Sequence, residues 1–272
     1  MLVAAAVTRL NFLRGAAVWV AMAMIALHAF RAIAAEEKKP EKKKEPPRVV
    51  VCIPLGVVPG TTNQIKIRGL NLTNVAEIRF ADATNITAKI KSAGKADVPK
   101  DQDAKKSGDT QLEVELRLGE YTPPGTNSFT VVSPDGESPP HTLLIMAPNS
   151  FVSEKEPNGS FRQAQPIQFG KIIQGVIGEP KDVDVFRFEG KAGAEIVAEV
   201  FASRHGSSLD SILTLYDDKA HIIATSDDTD TTTDTLLRAK LPSDGPYFLS
   251  LIDAHDHGGA TCVYHLTLNS RQ

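Results

Sequence analysis

The sequence predicts an all-β protein: two consecutive β-sandwich domains following an export leader and a charged linker. Three observations carry that prediction. From Val49 to the end, short runs alternate apolar and polar residues between turns of glycine, proline and asparagine, and no stretch there keeps a helical period. The chain has 272 residues, room for more than one domain. It is 42% hydrophobic, with 19 glycines and 17 prolines, enough for packed cores and many turns.

Residues 1–35 contain no acidic residue and three arginines, Arg9, Arg14 and Arg31. Between Arg14 and Arg31 lies the apolar stretch Gly15–Phe30, interrupted only by His28, and small residues follow at Ala32, Ala34 and Ala35. A cationic start, a short apolar centre and a small-residue exit describe an export signal, too short to span a bilayer once tilt and flanks are allowed for. The competing reading is an uncleaved anchor, for which Arg31 near the cleavage point argues. With the signal removed, no membrane span is expected, and the protein is placed outside the cytoplasm: secreted, periplasmic or on the cell surface. Residues 36–48 hold ten charges and three prolines in thirteen positions, a composition that cannot be buried and reads as a solvated linker.

The first module, 49–148, opens with the apolar run Val49–Ile53, which suits a strand buried on both faces. Ile65 and Ile67 alternate with Lys66 and Arg68, a half-buried strand. Further strands are read at 75–80, 86–90, 112–118, 129–132 and 143–145. The clearest is 112–118, where Leu112, Val114, Leu116 and Leu118 face one way and Glu113, Glu115 and Arg117 the other. Seven strands in about a hundred residues make a β-sandwich. The charged stretch Lys91–Asp109 is expected to be a mobile loop.

The second module, 149–272, carries the protein's acidity, with 18 acidic and 11 basic residues. Strands are read at 172–177, 183–188, 195–201, 211–216, 221–225, 235–239, 247–252 and 262–268. In the last, Cys262, Tyr264, Leu266 and Leu268 share a face. Eight strands joined by polar turns predict a second sandwich, jelly-roll-like in arrangement.

Two resemblances sharpen this outline. Pro54, Pro59-Gly60, Ile65, Ile67, Gly69 and Asn71-Leu72, with Pro123-Pro124-Gly125, Phe129, Val131 and Ser133-Pro134-Asp135-Gly136, resemble an IPT/TIG module. That family is immunoglobulin-like in fold, serves as spacer or binding unit and has no shared catalytic residue. In the second module, Glu154, Glu156-Pro157-Asn158, Ala164, Gly175, Asp182, Asp184, Phe186, Gly193, Leu209-Asp210, Asp227-Asp228, Asp234, Gly245-Pro246-Tyr247 and Tyr264 resemble the bacterial pre-peptidase C-terminal domain, a β-sandwich often attached to secreted proteases.

The chemistry on offer is that of oxygen ligands. Glu154, Glu156 and Asn158 stand at period two, and in an extended segment would project to one side; Asp182 and Asp184 would do the same. If the two segments meet, five hard oxygen donors converge, which suits calcium with its six to eight oxygen ligands. The resemblance to collagen-binding members of the pre-peptidase family implies the same cation, although Gly159 stands where an acidic residue often follows the asparagine. The competing reading makes these side chains turn caps. A second acidic stretch, Ser226–Asp234, reads as an Asp/Thr turn. His255 and His257 lack a third zinc ligand at a recognisable spacing. Cys52 and Cys262 read as buried thiols, and Tyr247 and Tyr264 as core aromatics.

No metalloprotease helix motif, nucleophile elbow or phosphate-binding glycine loop occurs, so the expectation is a protein that is not an enzyme. A net charge of −3 argues against nucleic acid as a partner. The expected role is an exported binding, adhesion or display module that engages a protein or polysaccharide polymer outside the cell or in its envelope, with calcium stiffening the second module. The alternative is an accessory or residual C-terminal part of a secreted peptidase system.

Overall fold

The computed structural model describes residues 44–99 and 102–271. The expected export leader, and the linker as far as residue 43, lie outside the described residues. The protein is all-β, and the described residues hold one short helix and one 3₁₀ turn among nineteen strands.

The first four-stranded sheet is made of β1 (Arg48–Ile53), β3 (Thr62–Leu70), β6 (Thr110–Leu118) and β5 (Ile86–Lys95), in that spatial order. Facing it is the sheet β2 (Gly56–Val57), β9 (His141–Ile145), β7 (Gly125–Ser133) and β4 (Glu77–Phe80), with β8 (Gly136–Glu137) paired to β7. The inward residues of both sheets form one core, including Ile65, Ile67, Leu112, Val114, Leu116, Phe129, Val131 and Leu143. The alternation read in 112–118 is the alternation seen: its four apolar residues are buried and Glu113 and Arg117 are exposed. Pro47 is already buried and β1 begins at Arg48, so the linker's last residues belong to the folded part.

The expectation of a mobile loop over Lys91–Asp109 needs correction. Its first five residues extend β5 to Lys95, and α1 (Ala104–Ser107) forms further on, capped by Asp103, whose carboxylate accepts from the Lys105 amide at 2.9 Å. The physical reason lies in β3. The buried Arg68 guanidinium donates to the carbonyls of Asp97, at 2.7 Å, Gly108, at 2.8 Å, and Ser107, at 3.3 Å, tying both ends of the insertion to the sheet. A cation read as the polar face of a half-buried strand is an anchor.

The second pair of sheets is larger. One comprises β10 (Phe151–Ser153), β12 (Ile172–Val176), β19 (Val263–Arg271), β14 (Glu195–Phe201) and β17 (Leu236–Lys240). The other comprises β11 (Gln165–Pro166), β13 (Asp184–Gly190), β18 (Gly245–Asp253), β15 (Ser211–Tyr216) and β16 (Ile222–Ser226). From β12 to β15 the chain changes sheet at each connection, which places successive strands on opposite sides of a single core. That core contains Phe186, Phe188, Val200, Leu213, Leu249, Tyr247, Tyr264 and Leu266. β10 and β11 pair in parallel with β12 and β13 and are too short to announce themselves by alternation.

From Glu45 onward the chain forms one compact unit. Val51 and Leu55 pack on Val263 in a small apolar cluster that Leu144 and Val176 complete. Cys52, beside Val51, belongs instead to the first core. The run Val49–Ile53 therefore serves two cores: Val49 and Cys52 pack into the first, and Val50, Val51 and Ile53 into the seam cluster. Close approach at this seam requires glycine at 206, where φ is +86° and a Cβ would fall 1.8 Å from the Val50 carbonyl oxygen. Among the described residues no helix is long and apolar enough to cross a membrane.

Candidate metal centre

Glu154 leaves β10 with its amide donating to the Gln174 carbonyl at 2.9 Å, and the chain then continues without regular structure through Asn158. Two anchors hold this segment. Gln165 brackets it, its Oε1 accepting from the Lys155 amide at 2.8 Å and its Nε2 donating to the Ser153 carbonyl at 3.0 Å. At the other end the Asn158 carbonyl accepts from the Val185 amide at 3.1 Å, docking the segment on the start of β13. The meeting of the two acidic segments thus rests on the Gln165 side chain and on a backbone hydrogen bond to β13.

At that junction one carboxylate oxygen from each of Glu154, Glu156 and Asp184 lies within 4.8 Å of the others. Asn158 organises the group: its side-chain Nδ2 donates to Glu154 Oε1 at 2.9 Å, and its backbone amide donates to Glu156 Oε2 at 2.9 Å. The other Glu154 oxygen accepts from the Val176 amide at 2.9 Å. Asp184 is fully buried and receives the Tyr264 hydroxyl on Oδ2 at 2.6 Å. Burial, reinforced by the neighbouring Glu154 charge, pushes the Asp184 carboxyl far above the usual carboxylate range. The Tyr264 hydroxyl is pushed up as well, by burial first and the Asp184 charge second.

Two acceptors in this cluster, Asn158 Oδ1 and Asp184 Oδ1, are buried and have no hydrogen-bond partner. A buried oxygen left without a donor costs about 1–3 kcal/mol, and two beside converging carboxylates call for a positive partner. Protonation of Asp184 would relieve one of them, and a divalent cation is a partner of the kind both lack.

Asp182 stands apart from the other four predicted residues. It closes the turn before β13, with Oδ2 accepting from the Gly178 amide at 2.7 Å and Oδ1 from the Val183 amide at 2.9 Å. The expectation that it faces with Asp184 assumed an extended backbone across 182–184, whereas β13 starts only at Asp184. Asp182 supplies negative charge nearby and caps a turn.

Two participants were not among the residues expected at this site, Tyr264 and Gly175. They pair across β12 and β19, and a Cβ at 175 would lie 2.4 Å from the Tyr264 ring and hydroxyl and 2.7 Å from Glu154 Oε2. Only a glycine lets the tyrosine lie across β12 and reach Asp184. The available signal was the glycine itself, since glycine inside a strand often marks a close approach.

The remaining candidates separate by geometry. Asp234 is fully buried and caps the 3₁₀ turn Ser203–His205: Oδ1 accepts from the Ala202 and Ser203 amides at 3.0 and 2.6 Å, and Oδ2 from Arg204 Nε at 2.5 Å. Asp227 and Asp228 are exposed and approach Asp210, with no buried unpartnered oxygen beside them among the described residues. His255 and His257 stack on each other and pair separately, with Asp210 at 3.4 Å and Asp253 at 3.7 Å. Cys52 and Cys262 are free, buried thiols, and burial pushes Cys52 up to about 12.

Residues 182–252 match the family described as the bacterial pre-peptidase C-terminal domain. A protein of Deinococcus radiodurans described as a probable subtilase-type serine protease is 43% identical over 103 residues, which is 37% of this chain and 14% of that protein. Among solved structures, the pre-peptidase C-terminal domain of a Bacillus anthracis collagenase aligns over 43% of this chain and all of its own length, at 16% identity and a TM-score of 0.34. The secreted serine protease VesC of Vibrio cholerae aligns over 79% of this chain and 48% of its own, at 13% identity and a TM-score of 0.29. This chain therefore spans only a small part of its curated protease relative.

Proposed function

We propose that this protein is an exported, non-catalytic binding or display module whose second sandwich is locked by a calcium ion held between Glu154, Glu156, Asn158 and Asp184. The observation that carries the cation is the pair of buried, unpartnered oxygens, Asn158 Oδ1 and Asp184 Oδ1, beside two further carboxylates. All four donors are hard oxygens, the class calcium selects, and water or backbone oxygens would complete its shell. Asp182, the fifth residue of the predicted set, adds charge from the neighbouring turn. The ion would clamp the segment after β10 to the start of β13, joining the two sheets at one end of the sandwich. On this reading the first module is an IPT/TIG-like spacer of immunoglobulin type, and the partner is an extracellular or envelope protein or polysaccharide.

A second reading is favoured by the match over 182–252 and by the subtilase-type relative: the chain is an accessory, or a residual C-terminal part, of a secreted peptidase system. Both readings make the second sandwich a non-catalytic unit. They differ in partner.

A ligand that binds only the folded state raises the melting temperature once its concentration exceeds its dissociation constant. Thermal melting of the full chain in millimolar calcium and in chelator is expected to differ by several degrees, with the higher value in calcium. Equal melting temperatures would dispose of the calcium lock. Pull-down against collagen, peptidoglycan and a set of polysaccharides then separates the partners. Retention on one of them supports the binding module, and recovery of a peptidase instead supports the accessory.

A further inference from the structure

The first sandwich carries a groove of ≈ 570 Å³ at one end, between the turn joining β4 to β5, the connection from β6 to β7, and the adjoining ends of β7 and β9. That volume falls within the roughly 300–1,000 Å³ of small-ligand sites. Nothing in the cation site or the seam accounts for it.

Its chemistry is unusual for this molecule. In a chain with 23% charged residues, the groove has a single charged side chain, Asp82, and no cation. The rest of its polar lining is neutral: two asparagines, Asn85 and Asn127, and five hydroxyls from threonine and serine. Tyr121 stands at the groove with 90% of its surface exposed, more than any other large apolar side chain described. Pro123 and Pro124 follow after Thr122 and restrict the loop that presents it. An aromatic ring on a stiff loop offers contact area at little conformational cost.

The polar side is preorganised too. Asn127 Nδ2 donates to the Asp82 carbonyl at 2.7 Å, and the Asp82 amide donates back to Asn127 Oδ1 at 3.4 Å, bridging the two walls. The Asp82 Oδ1 accepts from the Thr84 amide at 2.8 Å, and hydrogen bonds from Thr84 hold this carboxyl below its usual range, so it stays an acceptor. Thr122 Oγ1 is buried at the groove and has no hydrogen-bond partner.

We propose that this groove binds a neutral saccharide chain, with Tyr121 stacked on the C–H face of one sugar ring and Asp82 and the asparagines bonding its hydroxyls. A pyranose has the two surfaces the groove supplies partners for: an apolar face and an edge of paired donors and acceptors. The absence of any lining cation, with one fixed carboxylate, disfavours phosphate, sulfate and uronate groups. The inference rests on the binding-module reading and places the ligand on the first sandwich, away from the cation.

The test is affinity electrophoresis of the full chain in gels containing a neutral polysaccharide (galactomannan, xyloglucan, hydroxyethylcellulose or soluble starch), with alginate and heparin gels in parallel. Retardation by at least one neutral polymer is expected, and none by the anionic ones. Tyr121→Ala, an exposed substitution whose folding is checked by melting, should weaken that retardation at least tenfold, and Asp82→Asn should weaken it less. No retardation in any neutral gel overturns the proposal, as does retardation that Tyr121→Ala leaves intact or that appears only with anionic polymers. A chain that keeps its calcium-dependent melting shift but is never retarded refutes the groove and leaves the cation lock standing. The opposite pattern refutes the lock alone.

Discussion

Acidification should loosen the seam between the two sandwiches, because three histidines gather there. His141, on β9, lies 3.6 Å from the position a Cβ would take at Gly206, and His265, on β19, lies 3.2 Å from the corresponding position at Gly56. His205, in the 3₁₀ turn, acts on both. Burial, with His205 as the further cause, lowers His141 and His265 from 6.5 to about 4. His205 is lowered by burial too, while Asp234 pulls it up and Arg204 pushes it down. Around the other two rings the facing groups are neutral: Phe129 lies against His141, and Gln174 Oε1 is 3.1 Å from His265 Nε2.

A histidine whose folded value lies below its unfolded one binds fewer protons when folded. Its contribution to stability is complete above the unfolded value and is lost as the pH falls from about 6.5 towards about 4. Between pH 7 and pH 5 the linkage relation gives a loss of about 2 kcal/mol for each of His141 and His265, or about 4 kcal/mol together. For a protein of this size that is a fall of roughly 10 °C in melting temperature. The assay compares wild type with His141→Gln/His265→Gln at pH 7, 6 and 5, so that carboxylate titration common to both cancels. The double variant should lose markedly less on acidification, and small-angle scattering of the wild type should show an expanded particle near pH 5. Parallel melting curves for the two proteins across that range would refute the reasoning.

Other perturbations probe single contacts. Gly175→Ala puts a methyl group 2.4 Å from the Tyr264 ring, which must then leave Asp184; urea denaturation should show a loss of about 1–3 kcal/mol, and the calcium-dependent melting shift should disappear. Asp234→Asn removes the charge that Arg204 meets at 2.5 Å while keeping the shape of the cap. Arg204 is partly exposed, so the expected loss is about 2 kcal/mol by the same measurement, with calcium dependence retained.

The strands were legible in the sequence because their signal is local. Alternation in 112–118 or 262–268 needs only a period of two and one dry face. What was not legible depends on contacts between distant residues. Val263 and His265 occupy the face of β19 that a one-core sandwich would turn to water, yet both are buried, because the first sandwich covers them. Arg68 looks like any solvated strand cation until its three carbonyl partners close over it. At the acidic cluster, residue type and spacing brought together Glu154, Glu156, Asn158 and Asp184, which the structure also places side by side. They misjudged Asp182, whose oxygens are taken by amides of its own turn. Tyr264 was read as core, which its burial supports, while its hydroxyl contact with Asp184 depends on a glycine one strand away.

β19 is a party wall. Tyr264, Leu266 and Leu268 furnish one room, Val263 and His265 the other, and the Tyr264 hydroxyl fastens the wall to the acidic corner behind it. A gene cut between residues 148 and 149 would therefore yield two halves, each with an unfinished surface: Val51 and Leu55 bared on one, Val263 and His265 on the other. Swapping in a different first half would work only if it brought its own apolar edge to that wall. The second sandwich carried by itself would need polar residues at the positions of Val263 and His265, which the first sandwich covers here.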